Sequence, residues 1–235
     1  MSHTSHPYAM RLGILRPWRS RWFSARGFAG ALKEDIMLRI FLDKKLKGAF
    51  VDSVEIERSP ASLNLIIKTA RPGLLIGRGG EGIEKLKKDT EAFLTKLRKQ
   101  KPTPKSKDKN QKSGLKITVE EIKSPEQHAK VMAESIAQDL ERRLPFRRVL
   151  KQTTAKIAAS KGVKGVKISL SGRLDGAEMA RYEWLKEGQV PLQTLRADID
   201  FARGRARLPY GDLGIKVWIY KGEVFEKDKQ VRQVK

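Results

Sequence analysis

From Ala31 to Leu46 apolar residues recur at Leu32, Ile36, Ile40, Leu42 and Leu46. That is close to helical period and predicts an amphipathic helix which Gly48 stops. Period-two alternation follows in Val54-Glu55-Ile56 and in Leu63 to Ile67, split by Ser59-Pro60-Ala61-Ser62, so an antiparallel pair of strands is expected. A second helix carries Ile83, Leu86, Thr90, Phe93, Leu94 and Leu97 on one face, and Leu115 to Val119 reads as another strand. Ser124-Pro125-Glu126-Gln127 supplies an N-cap, a first-turn proline and a capping-box glutamine. The helix it announces has a small-residue stripe, Ala129, Met132, Ala133, Ile136, Ala137 and Leu140, suited to close packing on the sheet. Leu144-Pro145-Phe146 breaks that helix, and the boundary between two domains is placed there. Beyond it come a helix with Phe146, Val149, Leu150, Thr153 and Ile157 on one face, and strands at Val166–Leu170, Ala197–Phe201 and Ile215–Tyr220. The second domain is therefore an α+β layer with a mostly antiparallel sheet.

Between the second strand and the second helix lies Ile76-Gly77-Arg78-Gly79-Gly80-Glu81-Gly82-Ile83. A glycine-rich turn at a helix start presents unpaired backbone amides and the positive end of the helix dipole, so it suits phosphate. Gly77, Gly79 and Gly82 also meet the spacing of a dinucleotide fingerprint. Against that reading, Arg71-Pro72-Gly73 separates the turn from its strand, and the region about 20 residues on is Lys-rich. A nucleotide P-loop is excluded because no Gly-Lys-Ser/Thr follows. The run resembles the I-G-x-x-G-x-x-I signature of KH domains, in which a G-x-x-G turn clamps an RNA backbone. The order helix, strand, strand, turn, helix, strand matches the type II arrangement. A plain tight helix start stays open as the alternative.

Charge sharpens the partner. With 50 Lys+Arg against 27 Asp+Glu, the net charge is +23 on 235 residues, so a polyanion is the default ligand. Hydrophobic residues at 39% are enough to build cores, and the chain is not read as a disordered basic tail. There is no cysteine and only three histidines, so no disulfide and no strong metal site is expected, and no cofactor or small-molecule substrate is called for. No apolar run of about 18 residues occurs, so no membrane partner is expected, and export is unlikely on the same reading of residues 1–7. The cations cluster. Residues 8–28 hold Arg11, Arg16, Arg19, Arg21 and Arg26 beside Trp18, Trp22, Phe23 and Phe28, with no acid. Such an arm grips RNA through guanidinium and indole, or else packs on its own domain. Arg98 to Lys112 carries seven cations, Lys101, Lys105, Lys107 and Lys109 among them, against Asp108. Arg147, Arg148 and Lys151 gather on one side of their helix, and Arg203, Arg205 and Arg207 fall between the last two strands, where a hairpin would present them outward.

Longer stretches carry a closer resemblance: His6-Pro7, Arg11-Leu12-Gly13, Ser20-Arg21-Trp22-Phe23, Thr69 to Gly73, Ser171-Gly172-Arg173-Leu174, Gly176-Ala177-Glu178 and Thr194 to Asp200. In that order they resemble the family of bacterial-type small-subunit ribosomal proteins numbered three. The resemblance implies an N-terminal type II KH domain followed by a second α+β domain, divided here as an arm (1–30), a KH domain (31–144, with a basic insertion at 98–114), a C-terminal domain (145–222) and a basic tail (223–235). It implies a structural constituent of the cytoplasmic small ribosomal subunit, in its head, whose partners are ribosomal RNA, messenger RNA and the head proteins numbered ten and fourteen. Gly77, Arg78, Gly79 and Gly80 would form the KH turn. Arg147, Arg148 and Lys151 match the family's cluster where messenger RNA enters, which assists unwinding passively. Arg11, Arg16, Arg19, Arg21, Trp22, the loop lysines, Arg173, Arg203, Arg205 and Arg207 are the further ribosomal RNA candidates. A free-standing KH regulator is the alternative. A nuclease is the remoter one, since Asp175, Glu178, Asp198 and Asp200 are bracketed by arginines and read as ion-pair partners, so no catalytic residue is assigned.

Overall fold

In the computed structural model, which describes residues 5–24, 27–59, 62–99 and 114–225, the chain divides into two units. One is Arg19–Lys123; the other joins the segment up to Trp18 to everything from Ser124. Along the chain run α1 (Pro7–Met10), β1 (Ser20–Arg21), α2 (Phe28–Lys45), β2 (Val51–Arg58), β3 (Ser62–Thr69), α3 (Pro72–Ile76), α4 (Glu81–Lys99) and β4 (Gly114–Glu121). Then come α5 (Ala129–Glu141), α6 (Phe146–Ala158), β5 (Gly165–Gly172), β6 (Arg181–Gly188), β7 (Ala197–Leu208) and β8 (Gly211–Glu223).

The first unit is a mixed sheet in the order β1-β2-β3-β4, with β2 and β3 antiparallel as the alternation predicts and β4 parallel to β3. Leu63, Leu65 and Ile67 of β3 meet Leu38, Leu42, Leu86 and Leu94 in one core. Here α2 departs from the sequence reading. Leu38, Leu42 and Leu46 are buried, whereas Leu32, Ile36 and Ile40 are exposed, Ile36 to 50%. Residues 36 and 38 lie about 200° apart around a helix, so α2 is apolar on two opposite sides and only one of them faces the sheet.

Charge finishes that unit. Arg58 bonds Glu34 at 2.8 Å and the buried Asp35 at 2.7 Å, and Arg98 reaches Glu34 at 3.1 Å. Burial pushes the Glu34 carboxyl up, but the bonds from Arg98 and Arg58 outweigh it and hold the group below the usual carboxylate range. A depressed carboxylate stabilises the fold above its unfolded pKa of about 4.3, and that contribution is lost as pH falls through the folded value. Thermal melts taken from about pH 5 down to about pH 3 should show a falling midpoint, and Glu34→Gln should flatten that dependence.

The second unit is an antiparallel sheet in the order β6-β5-β8-β7. Val166, Ile168 and Leu170 of β5 and Ile215, Val217 and Ile219 of β8 pack against Met132, Ala133, Ile136, Val149, Leu150 and Ile157. This corrects the predicted boundary at Leu144: α5 packs on the second sheet, and the chain crosses between units at 123/124. The capping box is corrected too. Pro125–Gln127 is a single 3-10 turn, α5 starts at Ala129, and the first helical N–H is bonded by Asp200 Oδ2 of β7 at 2.8 Å, while Gln127 donates to Lys161 O at 2.7 Å. A sheet carboxylate replaces the local cap. On the sheet's other face Ile199, Phe201, Trp218 and Tyr220 form a smaller core under Val190 and Leu192.

Candidate nucleic-acid interface

Helix α6 is held by Phe146, Val149, Leu150, Thr153, Thr154 and Ile157, all buried, which leaves Arg147, Arg148 and Lys151 exposed on its outer side. Among the described residues none of the three makes an ion pair. The placement is electrostatically adverse for the protein alone. Arg147 and Arg148 sit in the first turn, beside the positive end of the helix dipole, with no acid in that turn and no side-chain cap from Pro145. An anion relieves that arrangement. Arg142 and Arg143, at the end of α5, are exposed as well and extend the basic surface to both sides of Pro145. The sequence reading passed over them, although the run Arg142-Arg143-Leu144-Pro145-Phe146-Arg147-Arg148 shows them plainly. A groove of about 400 Å³ lies against this helix start, lined by Pro145, Phe146, Arg147, Asp175 and Arg181 among others.

The glycine turn divides its labour. Gly82 lies so close to α3 that a Cβ would stand 2.4 Å from Leu75 O, and a Cβ on Gly77 would meet Gly82 N at 3.1 Å. Those two glycines build the corner between α3 and α4. Gly79 and Gly80, at φ +63° and +87°, have no heavy atom within 4 Å of a built Cβ, and Arg78 is exposed beside them. Their amides form the open side of the turn, where a phosphate backbone can approach. The first turn of α4 carries Glu81 and Glu84, so Arg78 is the cation at this site. Gly79→Asp should keep the fold, because aspartate tolerates the left-handed region. It should weaken RNA binding at the turn about tenfold through like-charge repulsion, read by fluorescence anisotropy against a thermal melt. Unchanged affinity would show that the turn is only a helix start.

The N-terminal arm corrects several expectations. Arg11 is 1% exposed. Its guanidinium donates to Ala197 O at 2.7 Å, Pro7 O at 2.9 Å, Leu192 O at 3.0 Å and Thr194 O at 2.8 Å. Arg16 is bonded to Asp198 at 2.9 Å and Asp200 at 3.0 Å. Arg21 pairs with Glu55 and Glu57, and Trp22 donates its indole N–H to Asp35 at 2.7 Å. These four groups are used within the protein, so the reading of an arm packed on its own chain holds for them. Arg19 is half-buried, and its carbonyl accepts from Ile56 N. Asp198 and Asp200 are ion-pair partners, but of Arg16 and not of the neighbouring Arg196, which pairs with Glu223.

Arg173 is exposed but donates to Ala177 O at 2.8 Å, tying down the turn after β5. Arg203, Arg205 and Arg207 lie on β7 itself, not in an excursion beyond it, and all three are exposed. Lys101, Lys105, Lys107, Lys109 and most of the 98–114 insertion and the 223–235 tail fall outside the described residues.

Comparison with known proteins agrees with this geometry. Residues 37–127 match the KH domain model and residues 136–219 match the model described as ribosomal protein S3, C-terminal domain. The chain is 44% identical to a relative from Desulfitobacterium hafniense over 234 residues, covering 100% of this chain and 98% of the relative. It is 45% identical to one from Desulfovibrio desulfuricans (97% and 99% covered) and 43% identical to one from Lactobacillus acidophilus (97% and 94%). All three are named small ribosomal subunit protein uS3. A type II KH domain followed by an α+β domain, matched over nearly its whole length by proteins of one name, places this chain in the uS3 family of ribosomal proteins.

Proposed function

We propose that the chain is a structural constituent of the small ribosomal subunit head, binding ribosomal RNA in the cytoplasm and lining the channel where messenger RNA enters. Support comes foremost from α6: two arginines in an uncapped first turn that holds no acid, and a lysine one turn on, all exposed, destabilise the helix slightly and are explained by a phosphate ligand. Three such cations on a rigid helix hold an incoming strand by its backbone without reading its bases. Pulled through by translocation, a structured message would be opened against them, and no step of that process needs catalysis by this chain.

The protein neighbours have a surface of a different kind. Phe28, Leu32, Ile36 and Ile40 recur every fourth residue on the outer side of α2 and are all exposed. A stripe of this sort suits an apolar protein face rather than RNA. We assign it to the head proteins numbered ten and fourteen. Sedimentation of a lysate through sucrose at moderate and high salt tests the whole reading. Near-quantitative presence with the small subunit, retained as salt rises, is expected. A mostly free pool would overturn it in favour of a free-standing KH regulator.

A further inference from the structure

Strand β6 had no core pattern in the sequence, and the structure shows why. It is an edge strand whose Tyr182 and Trp184 are 55% and 52% exposed. The register places Tyr182 opposite Ser171 and Trp184 opposite Ser169, then Gly214 and Lys216 on β8, then Arg205 and Arg203 on β7. Lys186 and Lys167 lie opposite each other one step along. All of these share the sheet face turned away from α5 and α6, which the smaller core covers only at its other end. Five cations, Lys167, Lys186, Lys216, Arg203 and Arg205, therefore share an open face with two exposed aromatic rings, and the carboxylate near them is Asp212, 3.4 Å from Arg205.

Two exposed rings on a strand at the open edge of a sheet are a liability unless something covers them. They are also well braced. The Lys167 ammonium lies 4.9 Å from the centre of the Trp184 ring and 5.5 Å from that of the buried Trp218, which fixes the exposed indole against the sheet. Ser171 and Gly214 keep the floor beside the rings low: a Cβ on Gly214 would stand 2.7 Å from Ser171 Oγ. Tyr182 and Trp184 are two residues apart on one face, about 7 Å along the strand. Lys216 lies two strands from Trp184, about 10 Å across the sheet.

We infer that this open sheet face binds unpaired RNA, with two bases stacked on Trp184 and Tyr182 and the backbone held by Lys216, Arg203 and Arg205. Stacking on an aromatic requires a base free of its duplex, whereas the α6 cluster needs only phosphates. The two surfaces therefore select different RNA. The excess of cations argues for a polyanion over an apolar protein partner, which would leave five charges to be desolvated. The arrangement differs from sheets that stack bases on their central strands, because here the rings stand at the edge and the cations in the middle and at the far side.

This proposal rests on the RNA-binding reading above, and its test separates the two. The full chain carrying Arg147→Ala, Arg148→Ala and Lys151→Ala serves as parent, so that binding through α6 is removed. Labelled twelve-residue oligouridine, an abasic strand of the same length and a duplex are titrated by fluorescence anisotropy. Adding Trp184→Ala and Tyr182→Ala should weaken oligouridine binding at least about thirtyfold, with abasic and duplex binding and the salt slope unchanged. Trp184→Phe should restore most of the loss, which guards against a folding artefact. Arg203→Ala, Arg205→Ala and Lys216→Ala together should reduce the salt slope by about 2. If the aromatic variants bind oligouridine like the parent, or lose the abasic strand equally, the sheet face is no stacking surface and a protein is its better occupant. If even the unsubstituted chain ignores all three RNAs, the broader reading falls first.

Discussion

Replacing Arg147, Arg148 and Lys151 together by alanine is expected to lower affinity for single-stranded RNA about a hundredfold near 0.1 M salt while leaving thermal stability unchanged or slightly raised. The two halves of that result come from the same geometry. Each phosphate neutralised on a single strand contributes about −0.7 to the slope of log affinity against log salt, so three lost contacts remove about 2 from the slope. The stability half follows because the arginines stand at the positive end of α6 with no acid in the turn, where cations cost a helix about 0.3–1 kcal/mol. All three point away from the buried residues Val149, Leu150 and Ile157, so no core is disturbed. A measured slope equal to that of the unsubstituted chain would show that α6 is simply a solvated basic helix. A large loss of stability would show that the cations have internal partners.

Arg11→Ala is expected to do the opposite: to cost about 4 kcal/mol in stability with no specific effect on the salt dependence of RNA binding. Arg11 is buried and its guanidinium satisfies four backbone carbonyls, three of them on residues 192, 194 and 197. Truncation would leave those buried acceptors without their donor, and the penalty for several orphaned buried groups exceeds that for one lost bond. Burial holds the Arg11 pKa below the usual guanidinium value, against the pull of Asp198. Arg11→Lys should recover little, since one ammonium cannot reach four divergent carbonyls. Denaturant unfolding distinguishes the outcomes. A change within about 0.5 kcal/mol, as at an ordinary surface site, would mean that the arm is dispensable for the second unit.

Much of this was legible from residues alone, and the failures share a cause. Leu63 to Ile67, with one buried face, announced itself because alternation records which side meets the core, and Ile215 to Tyr220 did so as an apolar run buried on both faces. Strand β6 did not, because its rings lie on the open side and Glu183 and Glu187 interrupt the other. Helix α2 was found, but its named apolar positions mix buried Leu42 and Leu46 with exposed Leu32, Ile36 and Ile40, since a helix apolar on two sides has no unique inner face. The arm's composition read as RNA-gripping for a related reason: residues 8–28 contain no acid, and the carboxylates that bind Arg16 and Trp22 stand at Asp198, Asp200 and Asp35. Charge counted along the chain cannot see partners brought in by the fold. The α6 cluster was visible because its three cations sit within five residues of one another and keep no such distant partner.

The crossing of the chain between its two units also sets an order of events during synthesis. The segment up to Trp18 leaves the ribosome before Arg19–Lys123, yet the carbonyls it completes belong to residues 192, 194 and 197, which emerge after that whole unit. The unit formed by Arg19–Lys123 can close while the rest is still being made. The other must hold an unpaired Arg11 in waiting until residues 192, 194 and 197 have emerged, so its assembly is slow by topology, and a nascent chain stalled before residue 190 would carry one finished unit and one that cannot yet close.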